Sequence, residues 1–356
     1  MLVVLLAAGC AQQTPQVEAR KEATGRWNLA RSRVKAQLAA DQLAAGNVTD
    51  AAAEIERAMA LDPANPRLMV LSAKVALARG NDRLAEQLLT GIEAEAPVRA
   101  EAEYLLGVIA QQRLCDEKAL EHFVRAGSID PAEVAYPIAV SQQLLQAGDA
   151  RAALEQLDSR RADFGWTSGY HAARAECLEA LGDWREAAAA WRQASTGSKD
   201  PAVQERLALA LRQSGQWREA ASVLEARLAD GAAESGAAGG AESSRVLRLA
   251  LAECQIESRQ FEAARAQIAL VMKGEPREAR AWLLLSRIET YGQNFEKALD
   301  LAQRSLTHDP DSRAAMETVA GLAYRLGRRE VAEGVLARLR AVDPSNAVAA
   351  AIGEAR

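Results

Sequence analysis

Ala279 to Ser312 reads ARAWLLLSRIETYGQNFEKALDLAQRSLTHDPDS, and its pattern recurs along nearly the whole chain at a 34-residue period. The prolines that close each turn set the phase: Pro63, Pro97 and Pro131, then Pro276, Pro310 and Pro344, in steps of 34 within each set. Nine units follow, at 32–65, 66–99, 100–133, 134–167, 168–200, 201–234, 245–278, 279–312 and 313–346, the fifth being one residue short. A period of this length is the mark of a helical repeat array, in which each unit buries its apolar face against its neighbours.

Three places within the unit carry the packing. The twentieth residue is alanine in all nine, from Ala51 to Ala332. The eighth is always small: Ala39, Ala73, Gly107, Ser141, Ala175, Ala208, Ala252, Ser286 and Ala320. Small side chains there let two antiparallel helices approach closely, and overpacking such a contact costs about 1–3 kcal/mol. Gly46, Gly80, Gly148, Gly182, Gly215 and Gly327 fall at the turn between the helices, where a left-handed backbone is easiest for glycine.

Composition agrees. Aromatic residues make up 4% of the chain and alanine leads the apolar fraction, which suits thin helix pairs rather than a sheet. The net charge of −5 leaves no basic stripe to neutralise phosphates, so no nucleic-acid partner is expected. No metal spacing, HExxH, GxSxG or phosphate-loop motif occurs, and His122, His171 and His308 occupy unrelated places. An SxxK string, Ser32 to Lys35, lacks its companion motifs. The expectation is no enzyme, no cofactor, no metal and no small-molecule substrate.

With Trp282 at place four, Leu285 at place seven, Ala298 at place twenty and Pro310 in the closing turn, the unit resembles the tetratricopeptide repeat. The resemblance implies an all-α, right-handed α-solenoid of about nine helix-turn-helix units that binds proteins or peptides in a concave groove. In that family places two, five, nine, twelve and thirteen of each first helix line the groove. Carried over, units five to seven supply Glu176, Glu179, Glu205, Glu253 and Glu257, with Arg212 among them. Units eight and nine supply Arg280, Arg287, Tyr291, Glu317, Tyr324 and Arg325. An acidic band beside an arginine and tyrosine patch would suit a carboxylate-bearing or extended peptide; a solvated face with ordinary helix charges is the competing reading. Co-chaperones of the family grip a terminal carboxylate with Lys and Asn, where this chain has Ala36, Ala40 and Val70, so that activity is not implied.

The chain begins MLVVLLAAGC. Its apolar run and Ala7-Ala8-Gly9-Cys10 resemble the lipobox of bacterial lipoproteins. The resemblance implies a signal peptide at 1–9, a lipid on Cys10 and, with Ala11 after the cysteine, an outer-membrane location facing the periplasm. Each buried CH₂ contributes about 0.8 kcal/mol, so several acyl chains would anchor the protein without any span. Ala7 replaces the commoner leucine, and the lack of Lys or Arg ahead of the apolar run suggests a start upstream of Met1. If the segment is not a signal, the alternative is a cytoplasmic adaptor or regulator.

The expected organisation is a tether and start of the first helix at 10–31, repeats one to six at 32–234, a Gly/Ala/Ser linker at 235–244, repeats seven to nine at 245–346, and a cap at 347–356. The segment Gly231 to Ser244 causes the phase slip between the two proline sets. Ala11 to Thr24 reads as tether and Trp27 to Ala45 as a lengthened first helix. Asp163 to Gly169 replaces the usual Asp-Pro turn and leaves Trp166 to solvent or a partner. Asp200 reads as an N-cap with Pro201 first in its helix. Cys115, Cys177 and Cys254 form no CxxC and read as buried thiols.

Overall fold

A computed structural model describes residues 15–196, 198, 200–234, 239–343 and 345–347. The signal segment 1–9, Cys10, most of the C-terminal cap (348–356) and linker residues 235–238 lie outside the described residues. Among the described residues all regular structure is helical. The chain forms two compact units, Met1–Trp166 and Thr167–Arg356.

The first unit contains four helix pairs: α1 (Pro15–Ala44) with α2 (Val48–Met59), α3 (Pro66–Ala78) with α4 (Asp82–Leu89), α5 (Ala96–Gln112) with α6 (Asp116–Ile129), and α7 (Ala135–Gln146) with α8 (Ala150–Asp158). A single turn, α9 (Arg161–Phe164), ends it. The second unit has five pairs: α10 (Ser168–Ala180) with α11 (Trp184–Ser195), α12 (Pro201–Gln213) with α13 (Trp217–Glu234), α14 (Gly239–Glu257) with α15 (Phe261–Gly274), α16 (Ala279–Tyr291) with α17 (Phe295–His308), and α18 (Arg313–Arg325) with α19 (Arg329–Val342).

The conserved chemistry of each place has a visible cause. Every place-twenty alanine is buried, at 2% exposure or less. In the quoted stretch the place-eight hydroxyl, Ser286 Oγ, donates to the place-twenty carbonyl of Ala298 at 2.7 Å, so the two helices touch at these places. At Gly107 a Cβ would lie 2.6 Å from the Phe123 ring; glycine is required because this repeat spends its space on a phenylalanine. Trp282 at place four ties its indole N–H to the Pro276 carbonyl at 3.0 Å, fastening the first helix to the preceding turn.

The place-fifteen turn extends the sequence reading. All nine turns have positive φ, and the three without glycine place Leu114 (φ 57), Arg259 (φ 66) and Gln293 (φ 60) in the left-handed region. Each of these three accepts a strain that glycine avoids.

Helix ends follow capping chemistry. Asp200 accepts from the Ala202 N–H at 2.9 Å with Pro201 first in the helix, as expected. Asn81, Asp149 and Asp183 cap the second helices α4, α8 and α11 in the same way.

Three expectations change. The tether expected from Ala11 to Thr24 is helical from Pro15 onward, because α1 already starts there with proline at its first turn. The linker expected at 235–244 is shorter: α13 runs to Glu234 and α14 begins at Gly239, since alanine and glutamate favour helix. These two helices pack on each other, and Gln255 Nε2 reaches Glu225 at 3.2 Å, so no break between compact units falls at this point. The unit boundary lies instead at Trp166, which is 82% exposed and whose indole N–H donates to the Asp163 carbonyl at 3.0 Å. Finally, Cys177 and Cys254 are buried but Cys115 is exposed, because it stands at the N-cap of α6 instead of on a packed face. Burial pushes the Cys254 thiol up to about 11.

Candidate functional site

The first helices of the second unit, α10, α12, α14, α16 and α18, carry the residues assigned to the groove. Their charges close on one another. Glu253 on α14 accepts from Arg212 of α12 at 2.5 Å and from Arg280 and Arg287 of α16 at 2.9 and 3.4 Å. Glu257, one turn further along α14, receives Arg287 and the Tyr291 hydroxyl, the latter at 3.3 Å. The expected acidic band and arginine patch are therefore not two separate surfaces in this part of the chain; Glu253, Glu257, Arg280, Arg287 and Tyr291 form one network.

The reason is the stacking of repeats. Glu253 and Arg287 both occupy place nine, and Glu257 and Tyr291 both occupy place thirteen, one 34-residue period apart. Residues at the same place in consecutive units lie side by side on the helix layer, so opposite charges there meet. Burial alone would raise the Glu253 carboxyl, but Arg212, Arg280 and Arg287 outweigh it and hold the group below its ordinary value.

The remaining groove carboxylates lie earlier in the unit. Glu179 accepts from the Trp191 indole at 2.7 Å and pairs with Arg206 at 2.9 Å, with its side chain only 8% exposed. Glu176, beside it, is raised by burial; Arg206 opposes the shift and Glu179 adds to it. Glu205 lies 3.7 Å from Arg227. At the other end, Glu317 takes Arg313 at 3.0 Å and Asn346 at 2.7 Å.

Two side chains were not marked by the groove places. Arg259 lays its guanidinium 4.0 Å from the Tyr291 ring centre, and Phe261 flanks the same ring at 5.7 Å. Glu289, buried on α16, collects Arg265 at 2.8 Å, Lys297 at 2.9 Å and Asn294 at 2.9 Å. Burial opposes ionisation of Glu289, but the hydrogen bonds from Lys297, Arg265 and Asn294 hold its pKa at about 2. A buried glutamate on an otherwise apolar face has no periodic signal; only its contacts reveal it.

Tyr291, Tyr324 and Arg325, together with Arg259, are exposed. Arg325 lies 4.0 Å over the Phe295 ring. Beside Arg259 a shallow cavity of about 520 Å³ opens between the Gly215–Glu219 and Glu257–Arg259 turns, with Trp217 in its wall.

Nine helix pairs among the described residues, joined by left-handed turns at one place of a 34-residue unit, define a helical-repeat scaffold for protein–protein interaction. Models of the tetratricopeptide repeat match residues 42–109 and 249–314, so the chain contains tetratricopeptide repeats in both of these segments. No curated protein matches it in sequence. Similar solved structures include YrrB, "a TPR protein with an unusual peptide-binding site", 19% identical over 55% of this chain and 97% of that one, with a TM-score of 0.45. Pseudomonas aeruginosa pilF is 20% identical over 64% of this chain and all of its own, at 0.44. Acl4, an assembly chaperone of RpL4, is 16% identical over 61% and 93%, at 0.46.

Proposed function

We propose that this protein is a lipid-anchored scaffold of the bacterial envelope, held through Cys10 at the periplasmic face of the outer membrane, that binds a protein or peptide along its first-helix face. The partner belongs to an envelope assembly, pilus or secretion complex, and the repeats position it without catalysing a reaction. The observation that carries the binding reading is the layer of first helices in the second unit, where arginines neutralise Glu253 and Glu257 while Tyr291, Tyr324, Arg325 and Arg259 are exposed. Tyrosine and arginine are favoured anchors at interfaces, and a cationic, aromatic surface fits an acidic or carboxylate-bearing segment. The lipobox-like Ala7 to Cys10 supports the anchor.

Two experiments test the parts separately. Metabolic palmitate labelling of the wild type and Cys10→Ala should label only the former; equal labelling removes the anchor, and a fused periplasmic reporter that stays inactive favours the cytoplasmic adaptor. For the groove, Tyr291→Ala with Arg325→Glu should abolish capture of a specific partner from native membranes with an unchanged circular-dichroism melt. Arg280 and Arg287 are unsuitable for charge reversal, because the new carboxylates would face Glu253 and Glu257 and disturb the fold. Capture that persists in the Tyr291/Arg325 variant leaves that face as solvated surface only.

A further inference from the structure

The first helix leaves an apolar stripe on the side away from its partner helix. Its inner face is occupied: Ser32 and Ala39 are buried, Ser32 Oγ donates to the Ala58 carbonyl of α2 at 3.3 Å, and Lys35 pairs with Glu54 at 2.9 Å. Opposite, at helical steps of three and four, run Ala23, Trp27, Ala30, Val34 and Leu38, and every one is exposed. Trp27 is 64% exposed and Val34 70%, values a solvated monomer has no reason to keep together on one helix.

The charges around this stripe say what covers it. Arg20 and Arg31 lie along it, and Arg26 and Arg33 border it on one flank. Among the described residues none of these four arginines has a carboxylate partner, in contrast to the paired arginines of the second unit. From Glu18 to Leu38 there are six basic residues against two acidic ones, in a protein whose net charge is −5. A protein surface of the same net sign as this chain would not need that concentration of arginine. An apolar stripe with a tryptophan, bordered by unpaired arginines whose stems can lie along it and whose heads reach phosphates, is the chemistry of a helix lying in a lipid interface. No described helix is long and apolar enough to cross a membrane, so the helix would lie on the surface rather than span it.

We propose that the exposed face of α1 docks on an anionic phospholipid surface, with Trp27, Val34 and Leu38 entering the headgroup boundary and Arg20, Arg26, Arg31 and Arg33 contacting lipid phosphates. This contact does not depend on the Cys10 lipid. With a lipid on Cys10 it would serve as the second of the two signals that stable anchoring takes, and it would set which side of the first unit faces the membrane.

The test uses the full chain carrying Cys10→Ser, so that no acyl group contributes. It is sedimented with phosphatidylcholine vesicles, with or without about one-third phosphatidylglycerol. The expected result is partition onto the anionic vesicles alone, weakened several-fold by raised salt and about tenfold by Trp27→Ser with Val34→Ser. Both positions point away from the core, so the variant should melt with the wild type, which keeps lost binding from being read as unfolding. Absence of partition onto anionic vesicles, or equal partition by the double variant, overturns the proposal. A lipid-free dimer that the double variant converts to monomer, without vesicle binding, also overturns it and assigns the stripe to a second copy. Vesicle binding that survives a failure of palmitate labelling leaves this inference standing and removes only the lipid anchor.

Discussion

Each unit, taken by itself, bridges its first helices with a different chemistry. In the first unit, neutral amides bridge α5 and α7: Gln111 Nε2 donates to Gln143 and Gln146 at 3.1 and 3.2 Å, and Gln143 Nε2 reaches Asp116 at 2.9 Å. In the second unit the equivalent bridges are ionic, with Glu253 taking three arginines and Glu257 taking Arg287. An amide ladder is insensitive to salt and to pH in the physiological range, whereas a partly buried carboxylate hub depends on staying ionised. The same backbone architecture thus gives the first unit an amide bridge between α5 and α7, beside a single Lys74–Glu101 ion pair between α3 and α5, and the second a carboxylate hub whose order is electrostatic.

The largest expected effect tests that difference directly. Glu253→Ala leaves Arg212, Arg280 and Arg287 crowded without a counter-charge and should cost about 2–3 kcal/mol, against about 1 kcal/mol for Gln143→Ala in the first unit, both read from urea unfolding. Equal losses would erase the distinction.

Acid gives the next effect. Glu253 and Glu289 have lowered pKa values, the latter about 2, so their contribution is complete above the ordinary carboxylate pKa and fades as pH falls below it. Glu176, raised by burial, works in the opposite direction and offsets part of the loss. Hydrogen exchange resolved by repeat, followed from pH 5 to 3, should therefore find α14 to α17 loosening before α3 to α8.

The smallest effect concerns the turns. Leu114→Gly in the first unit relieves a left-handed leucine that is 84% exposed and should stabilise by up to about 1 kcal/mol. Arg259→Gly in the second should gain less, since it also removes the guanidinium from the Tyr291 ring, a contact worth about 0.5–1 kcal/mol. Thermal melts of the two variants compare them; a larger gain at Arg259 would mean that its stacking contributes nothing.

Much of the fold was legible. Places eight, fifteen and twenty repeat because each helix pair must close in the same way, and a requirement met nine times leaves a periodic trace. The start of α1 was less legible, because Pro15 and the polar residues after it read as tether until their helix propensity is weighed. The phase slip at 231–244 marked an insertion, yet the compact-unit boundary fell at Trp166, where a short α9 replaces the proline turn. For the site, residue positions were available but their pairing was not: Glu253 and Arg287 were assigned to different surfaces although one period separates them.

The sequence by itself determined the repeat, its phase, the close contact of each helix pair and the turn that needs a left-handed residue, because these depend on neighbours fewer than 34 residues apart. Tertiary structure decided which charges neutralise one another, that Leu114, Arg259 and Gln293 bear the strain that glycine avoids elsewhere, and that Glu289 is buried with its ionic partners. The cross-repeat charge pairs depend on how consecutive repeats stack, which brings side chains 24 to 41 residues apart within hydrogen-bond reach.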